Sequence, residues 1–213
     1  MAFFFPEGSS QQFSQTFASA KTITAVSNAN PAVATSVAHG FTTGDEILLA
    51  SGWEDATDSV FKVTVLSADT FSISGLDTSH TNFFPAGTGI GTAQKISGWT
   101  AIPQVLTISA SGGDARFTDV NLLSKRNGIK IPTGFNATSV TLSLAHDASQ
   151  SGYVTMLGIS RNLSKVAFKQ VISGGSVTYG YGYLSVSEMP KLNASQVNSV
   201  DAALTVIGRS ISY

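Results

Sequence analysis

The stretch Phe168–Val186, FKQVISGGSVTYGYGYLSV, predicts two β-strands joined by a tight turn. β-Branched and aromatic residues dominate both arms, and Gly174-Gly175 between them can supply the positive φ angles of a primed hairpin turn. The same period of two, with apolar side chains on one face, recurs in Val60–Gly75, Ser139–Ala145 and Val200–Ile211. The chain is therefore predicted to be mainly β, as a sandwich or barrel.

One stretch, HDASQSGYVTMLGISRN, departs from the strand pattern. Tyr153 and Met156 have helical spacing, and Asp147 followed three residues later by Gln150 is typical of a capping box. Two glycines inside the stretch weaken a helix by roughly 1 kcal/mol each relative to alanine. We therefore expect one short α-helix, over residues 148–160, that depends on tertiary packing.

The composition excludes several classes of site. The 213 residues contain no cysteine, which excludes disulfides, thiolate zinc sites and a cysteine nucleophile, and fits a protein made in a reducing cytosol. The net charge of −1 gives no overall basic field for nucleic acid. No apolar run reaches the roughly 18 residues of a membrane helix. The start, MAFFFPEGSS, lacks the basic region of a signal peptide.

Charged residues are sparse and unevenly distributed. They make up 12% of the chain, about half of the roughly 25% that is usual in soluble domains. Residues 1–100 carry three lysines and eight acids, whereas residues 101–213 carry nine basic and five acidic residues. The two halves therefore differ in character.

Residues Ser36–Trp53, SVAHGFTTGDEILLASGW, contain the residue types of a metal or acid–base site. Asp45 and Glu46 are neighbours on a predicted strand, so their side chains point to opposite faces and cannot easily share one metal ion. His39 with a single acid offers too few ligands for zinc, which takes three or more from the protein. We expect His39, Asp45 and Glu46 to be turn and surface residues.

Two other motifs have structural interpretations. The glycine-rich AGTGIGTAQ is followed by strand-like residues, and a phosphate-binding loop needs a helix at that point. Tyr179, Tyr181 and Tyr183 share one strand face. Such a row can stack on sugars or bases, or it can pack inside the protein or against another subunit. Packing or subunit contact is favoured, and we predict no catalytic, cofactor-binding or metal-binding residues.

The order of several motifs resembles the major tail tube protein of long-tailed, non-contractile bacteriophages. FPEGSS and QQFSQTFA come first, and a tryptophan-bearing strand, a glycine turn and a closing Gly-Arg strand come later. The matching positions are Trp99, Gly175, Gly182-Tyr183 and Gly208-Arg209. Ser210 departs from the proline that commonly follows this arginine. The resemblance covers residues 1–20 and 96–213, and implies a tail-tube β-sandwich or barrel.

The intervening residues 21–95 are similar to a small all-β module that recurs in phage structural proteins. The pattern shares its name with a domain of ubiquitin-activating enzymes, although nothing in this stretch carries that chemistry. In this pattern the His-Gly-Phe turn and the Gly-Asp pair separate successive strands, so His39 and Asp45 have scaffold roles. We expect an inserted module on the outside of a tube.

The tail-tube resemblance implies a structural virion protein, not an enzyme. Its copies would form stacked hexameric rings, the conduit for DNA ejection, in the virion tail and, during assembly, in the host cytoplasm. The implied partners are other copies, a tape-measure protein in the lumen, and the tail terminator and tail-tip proteins. DNA would pass without specific binding, and neither a cofactor nor a membrane is expected.

Phe3, Phe4 and Phe5 are a candidate self-association segment. Three consecutive aromatic side chains contribute roughly 1.5–3 kcal/mol each only if something covers them. A neighbouring copy could do so, and so could the subunit's own sandwich.

Two other functions remain open. A carbohydrate- or receptor-binding β-sandwich of the tail tip would use the tyrosine row. A secretion-system tube protein would share the fold and stack without a tape measure.

Overall fold

The computed structural model describes residues 7–124, 126–192 and 194–213. The described residues form eighteen strands and one helix, a mainly β fold, as the periodicity predicts. In chain order the elements are β1 (Ser10–Ser14), β2 (Thr16–Phe17), β3 (Lys21–Ile23), β4 (Ala25–Val26), β5 (Ala32–Thr35), β6 (Glu46–Ser51), β7 (Ser59–Val65), β8 (Thr70–Ile73), β9 (Gly91–Ser97), β10 (Thr100–Ala101), β11 (Val105–Ser111), β12 (Ala115–Val120), β13 (Ile129–Phe135), β14 (Ser139–Ala145), α1 (Ser151–Arg161), β15 (Lys165–Val171), β16 (Val177–Val186), β17 (Ser199–Val206) and β18 (Ile211–Ser212).

One eight-stranded antiparallel sheet, the main sheet, is built from the start of the chain and its second half. Its order is β10-β1-β15-β16-β17-β14-β11, with β18 also paired to β16. The two edge strands, β10 and β11, are consecutive in the chain and line one groove of about 840 Å³. The sheet therefore curls until its edges face each other without pairing.

Helix α1 covers one face of the main sheet. Tyr153, Met156 and Ile159 are buried against the central strands. The predicted alternation in β17 is confirmed, since its four inward residues are all buried: Val200, Ala202, Leu204 and Val206.

The helix begins three residues later than predicted. Asp147 accepts hydrogen bonds from the backbone N–H (2.9 Å) and the hydroxyl (2.6 Å) of Ser149, which forms a turn before the helix. Gln150 is the N-cap and makes no side-chain capping bond. The capping-box prediction is therefore wrong, because the Asp147 carboxylate accepts its hydrogen bonds from Ser149 within the turn that precedes the helix.

A second eight-stranded sheet is formed by strands that all precede β10 in the chain. Its order is β2-β9-β6-β7-β8-β5-β4, with β3 also paired to β9. The predicted β7–β8 hairpin is confirmed, with Val63 opposite Ile73 and Val65 opposite Phe71. This sheet has a core of its own around Trp53, and every residue of that buried cluster lies between positions 23 and 93.

The hairpin of β15 and β16 is also confirmed, but its turn differs from the prediction. Only Gly174 has a positive φ, of 65°, and the Gly175 N–H donates to the Ile172 carbonyl at 3.0 Å. A primed type I turn requires positive φ at both central residues, whereas a positive φ at the second alone is typical of type II. On β16, Gly182 permits close strand approach, since a Cβ there would lie 1.9 Å from the Thr205 carbonyl oxygen.

Strands β12 and β13, with their connecting turn, form a separate two-stranded sheet, the ribbon. The ribbon continues the β11–β14 ladder beyond the main sheet, since Ser111 pairs with Ser139 and Ala115 with Phe135. Gly112 and Gly113 interrupt the ladder with φ of 87° and 78°. About six residue pairs at 3.4 Å each carry the ribbon tip roughly 20 Å from its base.

Candidate assembly surfaces

The two large sheets meet along a buried seam. Tyr179 and Tyr181 on β16 pack against Leu48, Val60 and Ile96 of the second sheet, with 1% and 8% of their surfaces exposed. The tyrosine row is thus mainly an internal packing face, and only Tyr183 remains exposed. Alternation along β16 predicts that the three tyrosines share one face. The second sheet, which covers that face, comes from residues more than 80 positions earlier in the chain, so the sequence did not predict the cover.

A polar network crosses this seam. The Glu46 carboxylate accepts hydrogen bonds from the Lys169 ammonium at 2.7 Å and from the Tyr179 hydroxyl at 2.5 Å. Burial, followed by the hydrogen bond to Glu46, holds the pKa of the Tyr179 hydroxyl far above its usual range. The Tyr213 hydroxyl donates to the Ser74 carbonyl at 2.6 Å and accepts from the Lys62 N–H at 3.0 Å. Side chains of the main sheet therefore anchor it to the second sheet.

The expectation that His39 and Glu46 are surface residues is wrong. His39 is 2% exposed, its Nδ1 accepts from the Phe41 N–H at 2.9 Å, and its Nε2 lies 3.1 Å from the Ser67 carbonyl. Its ring packs against Phe41 and Phe71. Glu46 is covered because its strand lies at the seam. The sequence showed a turn, but it could not show which parts of the fold cover that turn.

Asp45 has the predicted turn role. Its carboxylate accepts from the Thr42 N–H and hydroxyl, each at 2.9 Å, and pairs with Lys95 at 2.8 Å. Burial raises the pKa of Asp45, but the Lys95 ammonium and the Thr42 hydrogen bonds outweigh it, so that the pKa lies below its ordinary value. Asp45 and Glu46 thus have separate cationic partners, Lys95 and Lys169, and do not converge.

The glycine-rich stretch leads into strand β9, as predicted. Its residues make room for neighbours: a Cβ on Gly89 would lie 2.7 Å from the Trp53 ring, and one on Gly91 2.0 Å from the Ala50 carbonyl oxygen. Over the part of the chain that the structure describes, no three His, Asp or Glu side chains come together as metal ligands. Within the same residues, no helix is long and apolar enough to cross a membrane.

The ribbon exposes the largest group of uncovered apolar side chains. Phe117, Leu122, Leu123, Ile131 and Phe135 are 57%, 44%, 110%, 47% and 74% exposed. This hairpin was not predicted from the sequence. Its signal was the Asn127-Gly128 pair between two alternating stretches, which is typical of a hairpin turn. Phe3, Phe4 and Phe5, the predicted self-association segment, lie outside the described residues.

A cleft of about 990 Å³ separates the base of the ribbon from the second sheet. Its lining includes Asp55, Asp77, His80 and Phe83 from the second sheet's part of the chain, together with Phe135, Ile207 and Arg209. The Arg209 N–H donates to the Ser59 hydroxyl of β7 at 2.9 Å. Asp77 accepts from Ser79 and Asn30, and no described cation lies within ion-pair distance of Asp55 or Asp77.

A comparison with known protein families indicates a role for these exposed surfaces. The family described as phage tail tube protein, TTP, matches residues 51–213. The chain belongs to this family. As a member, the chain is a structural component of the phage virion tail, and self-assembly into a tube is the family's role. The matched range includes all of β7, β8 and β9, so it reaches into the second sheet. No curated protein matches the chain.

Proposed function

We propose that this protein forms hexameric rings that stack into a hollow tube, the conduit for DNA ejection. This proposal rests on two neighbouring surfaces that the single chain leaves uncovered. Strand β11 leaves a seven-residue edge unpaired, and the ribbon, which continues beyond the end of that strand, exposes apolar side chains.

The β11 edge supports ring formation. A free strand edge of this length is a template for pairing with another chain. Five of its seven residues are exposed, including Leu106 at 51%. Edge-to-edge pairing of β11 with the opposite edge, β10 and β1, of the next copy would close a continuous barrel and remove both free edges of the main sheet.

The ribbon supports ring stacking. Edge pairing extends a sheet sideways, across the strands, whereas the ribbon extends it along the strands. If pairing between the main-sheet edges of neighbouring copies closes each ring, the ribbon points along the tube axis. Its exposed phenylalanine and leucine residues then meet the next ring, which would remove them from water.

We propose that residues 1–20 and 96–213 form the tube body and that residues 21–95 are an inserted module on its outside. The main core supports this, because none of its residues lies between positions 21 and 95. Lys21 pairs with Ala93, so the insertion begins and ends at neighbouring points. Strand β9 runs across the proposed boundary, from Gly91 to Ser97, and pairs with β2 of the first segment.

The proposed partners follow from the tube. They are other copies, a tape-measure protein in the lumen, and terminator and tail-tip proteins at the two ends, with assembly in the host cytoplasm. The sparse charge is compatible with a wall along which DNA slides without specific binding. The role is structural and not enzymatic. The runner-up, a sugar-binding tail-tip protein, loses its main support, since two of the three tyrosine rings are internal.

We also propose that Phe3, Phe4 and Phe5 act in self-association. The described chain begins beside the groove between the edges of the main sheet, where Ser9 and Ser10 line one side. Leu106, Ile108 and Ile172 give that groove an apolar surface, which could cover the rings of a neighbouring copy.

Electron microscopy and sedimentation of the purified protein test the proposal directly. Hollow tubes or rings at high concentration are expected. A protein that remains strictly monomeric, also with its tape-measure and initiator partners, would contradict it. Discrete oligomers that bind a sugar would favour the tail-tip alternative.

A further inference from the structure

The connection at the ribbon tip contains a chemically labile pair of residues. Asn127-Gly128 is the only Asn-Gly sequence in the chain, and it lies in the turn between β12 and β13. Both residues are exposed to water, at the end of a ribbon that holds them roughly 20 Å from its base. Asparagine is one of the thermolabile residues of proteins, so its environment in this turn determines whether it survives unchanged.

Gly128 gives the main chain the freedom that a reaction of Asn127 with its neighbour requires. The reaction brings the main-chain nitrogen of residue 128 onto the side-chain carbonyl carbon of Asn127, and a side chain at residue 128 would hinder this approach. Glycine has none and allows more φ and ψ angles. The space beside Gly128 is bordered by the flexible side chain of Asn121, whose Oδ1 would lie 2.7 Å from a Cβ at this position.

The charges around the pair favour the same reaction. The sequence of residues 125–130, KRNGIK, contains three basic residues and no acid. The nearest acid across the ladder is Asp119, which already pairs with Lys130 at 3.9 Å. Attack requires the Gly128 nitrogen to give up its proton, and nearby positive charges stabilise the resulting negative charge.

We propose that Asn127 is a site of covalent modification, in which its side chain cyclises onto the Gly128 nitrogen. A bond forms between the Gly128 nitrogen and Asn127 Cγ, and the bond from Cγ to the side-chain amino group breaks. The amino group leaves as ammonia with the proton that the Gly128 N–H gave up. Water then opens the cyclic imide at either carbonyl, which leaves aspartate or isoaspartate at position 127.

The modification changes both the charge and the path of the ribbon tip. A neutral amide becomes a carboxylate next to Arg126, so the tip becomes more acidic with time. Isoaspartate also adds a methylene group to the main chain inside the turn that closes the ribbon. This inference goes beyond the proposed tube and does not depend on it, because the reaction needs only the single subunit.

Peptide mapping of the full-length, unassembled protein tests the proposal. Trypsin cleaves after Lys125, Arg126 and Lys130, so Asn127 and Asn121 fall on different peptides. During storage at mildly alkaline pH, the Asn127 peptide should gain the mass difference between a hydroxyl and an amino group. It should also become a methyl acceptor for an isoaspartate methyltransferase. Asn121 is the internal control, since it is exposed in the same turn and is followed by leucine.

Two variants identify the route of the reaction. Asn127→Gln should abolish the heavier peptide, since the longer side chain disfavours ring closure. Gly128→Ala should slow its appearance manyfold, and alanine fits the backbone there because φ lies outside the left-handed region. Conversion of Gly128→Ala at the wild-type rate would overturn the attack by the Gly128 nitrogen.

The remaining outcomes also decide the question. Asn127 that stays intact for as long as Asn121 in the folded protein would overturn the proposal, and so would conversion that occurs only in urea. Electron microscopy of the same samples reports separately on the tube. Conversion without tubes would support the modification and count against the proposed function, whereas tubes with an intact Asn127 would do the reverse.

Discussion

The Glu46 carboxylate on β6 lies 2.7 Å from the Lys169 ammonium on β15, so that an ion pair joins the two sheets. The side chains are only 12% and 20% exposed, and the Tyr179 hydroxyl donates to the same carboxylate. A pair in this position resists separation of the sheets, since either partner alone would keep a charge away from water.

Glu46→Ala should destabilise the protein by about 2–3 kcal/mol, somewhat less than the roughly 3–5 kcal/mol for breaking a fully buried pair. The loss arises because Lys169 keeps its charge and Tyr179 loses its acceptor. Urea unfolding measures the effect. Adding Lys169→Met to Glu46→Ala should recover part of the loss. A change of less than about 0.5 kcal/mol, the usual limit for surface substitutions, would show that the pair contributes nothing.

Tyr213→Phe should cost about 1–2 kcal/mol, because the Ser74 carbonyl and the Lys62 N–H both lose their partner. Thermal unfolding provides the measurement. Tyr183→Phe is the matched control, since Tyr183 is 43% exposed and its hydroxyl makes no hydrogen bond to another described residue. Equal melting temperatures for the two variants would contradict a bridging role for Tyr213.

Asp45→Asn should lower stability at pH 7 by about 1 kcal/mol, the size of a typical net hydrogen-bond contribution. The pKa of Asp45 is lowered in the folded protein, so its contribution is complete above the unfolded value of about 3.9. It disappears as the pH falls through the lower folded value. Unfolding free energies of wild type and variant should therefore differ at pH 7 and converge in acid. A difference that stays constant down to the acid limit would contradict the cause given for the shift.

Replacing Phe3, Phe4 and Phe5 with serine should block polymerisation and leave the subunit folded, because the rings are proposed to be covered by another copy. Sedimentation and the melting temperature of the unassembled protein are measured together. Val37→Ser with Leu66→Ser is the control, since it removes exposed apolar surface elsewhere. A collapse of the melting temperature would place the three rings in the subunit's own core, where each contributes roughly 1.5–3 kcal/mol.

Replacing residues 22–94 with a short Gly-Ser linker should leave a folded tube body, since the core under α1 lies wholly outside this range. The linker is feasible because Lys21 and Ala93 are paired neighbours. Tubes of smaller outer diameter with an unchanged axial repeat are expected, because the module is proposed to lie on the outside of the tube and not to be needed for building it. Electron microscopy measures both. Insoluble protein would mean that the second sheet is part of the body and that the division at residues 21 and 95 is wrong.

The sequence by itself determined the local elements. Alternation predicted the β7–β8 and β15–β16 hairpins and the inward face of β17, because a strand's two faces follow directly from residue order. The helical spacing of the apolar residues predicted the helix, but the sequence did not show at which residue its first turn begins. Asp147 can cap a helix or close its own turn with Ser149, and the difference between the two is a small local energy.

Only the tertiary structure decided what covers each face. Glu46 and Lys169 are 123 positions apart, and a turn signal at one carries no information about the other. Burial of His39 and of the tyrosine row likewise depends on how one sheet lies on another, which results from the packing of many side chains at once. The ribbon was likewise found only in the tertiary structure, because the exposure of its apolar side chains depends on which parts of the fold leave them uncovered.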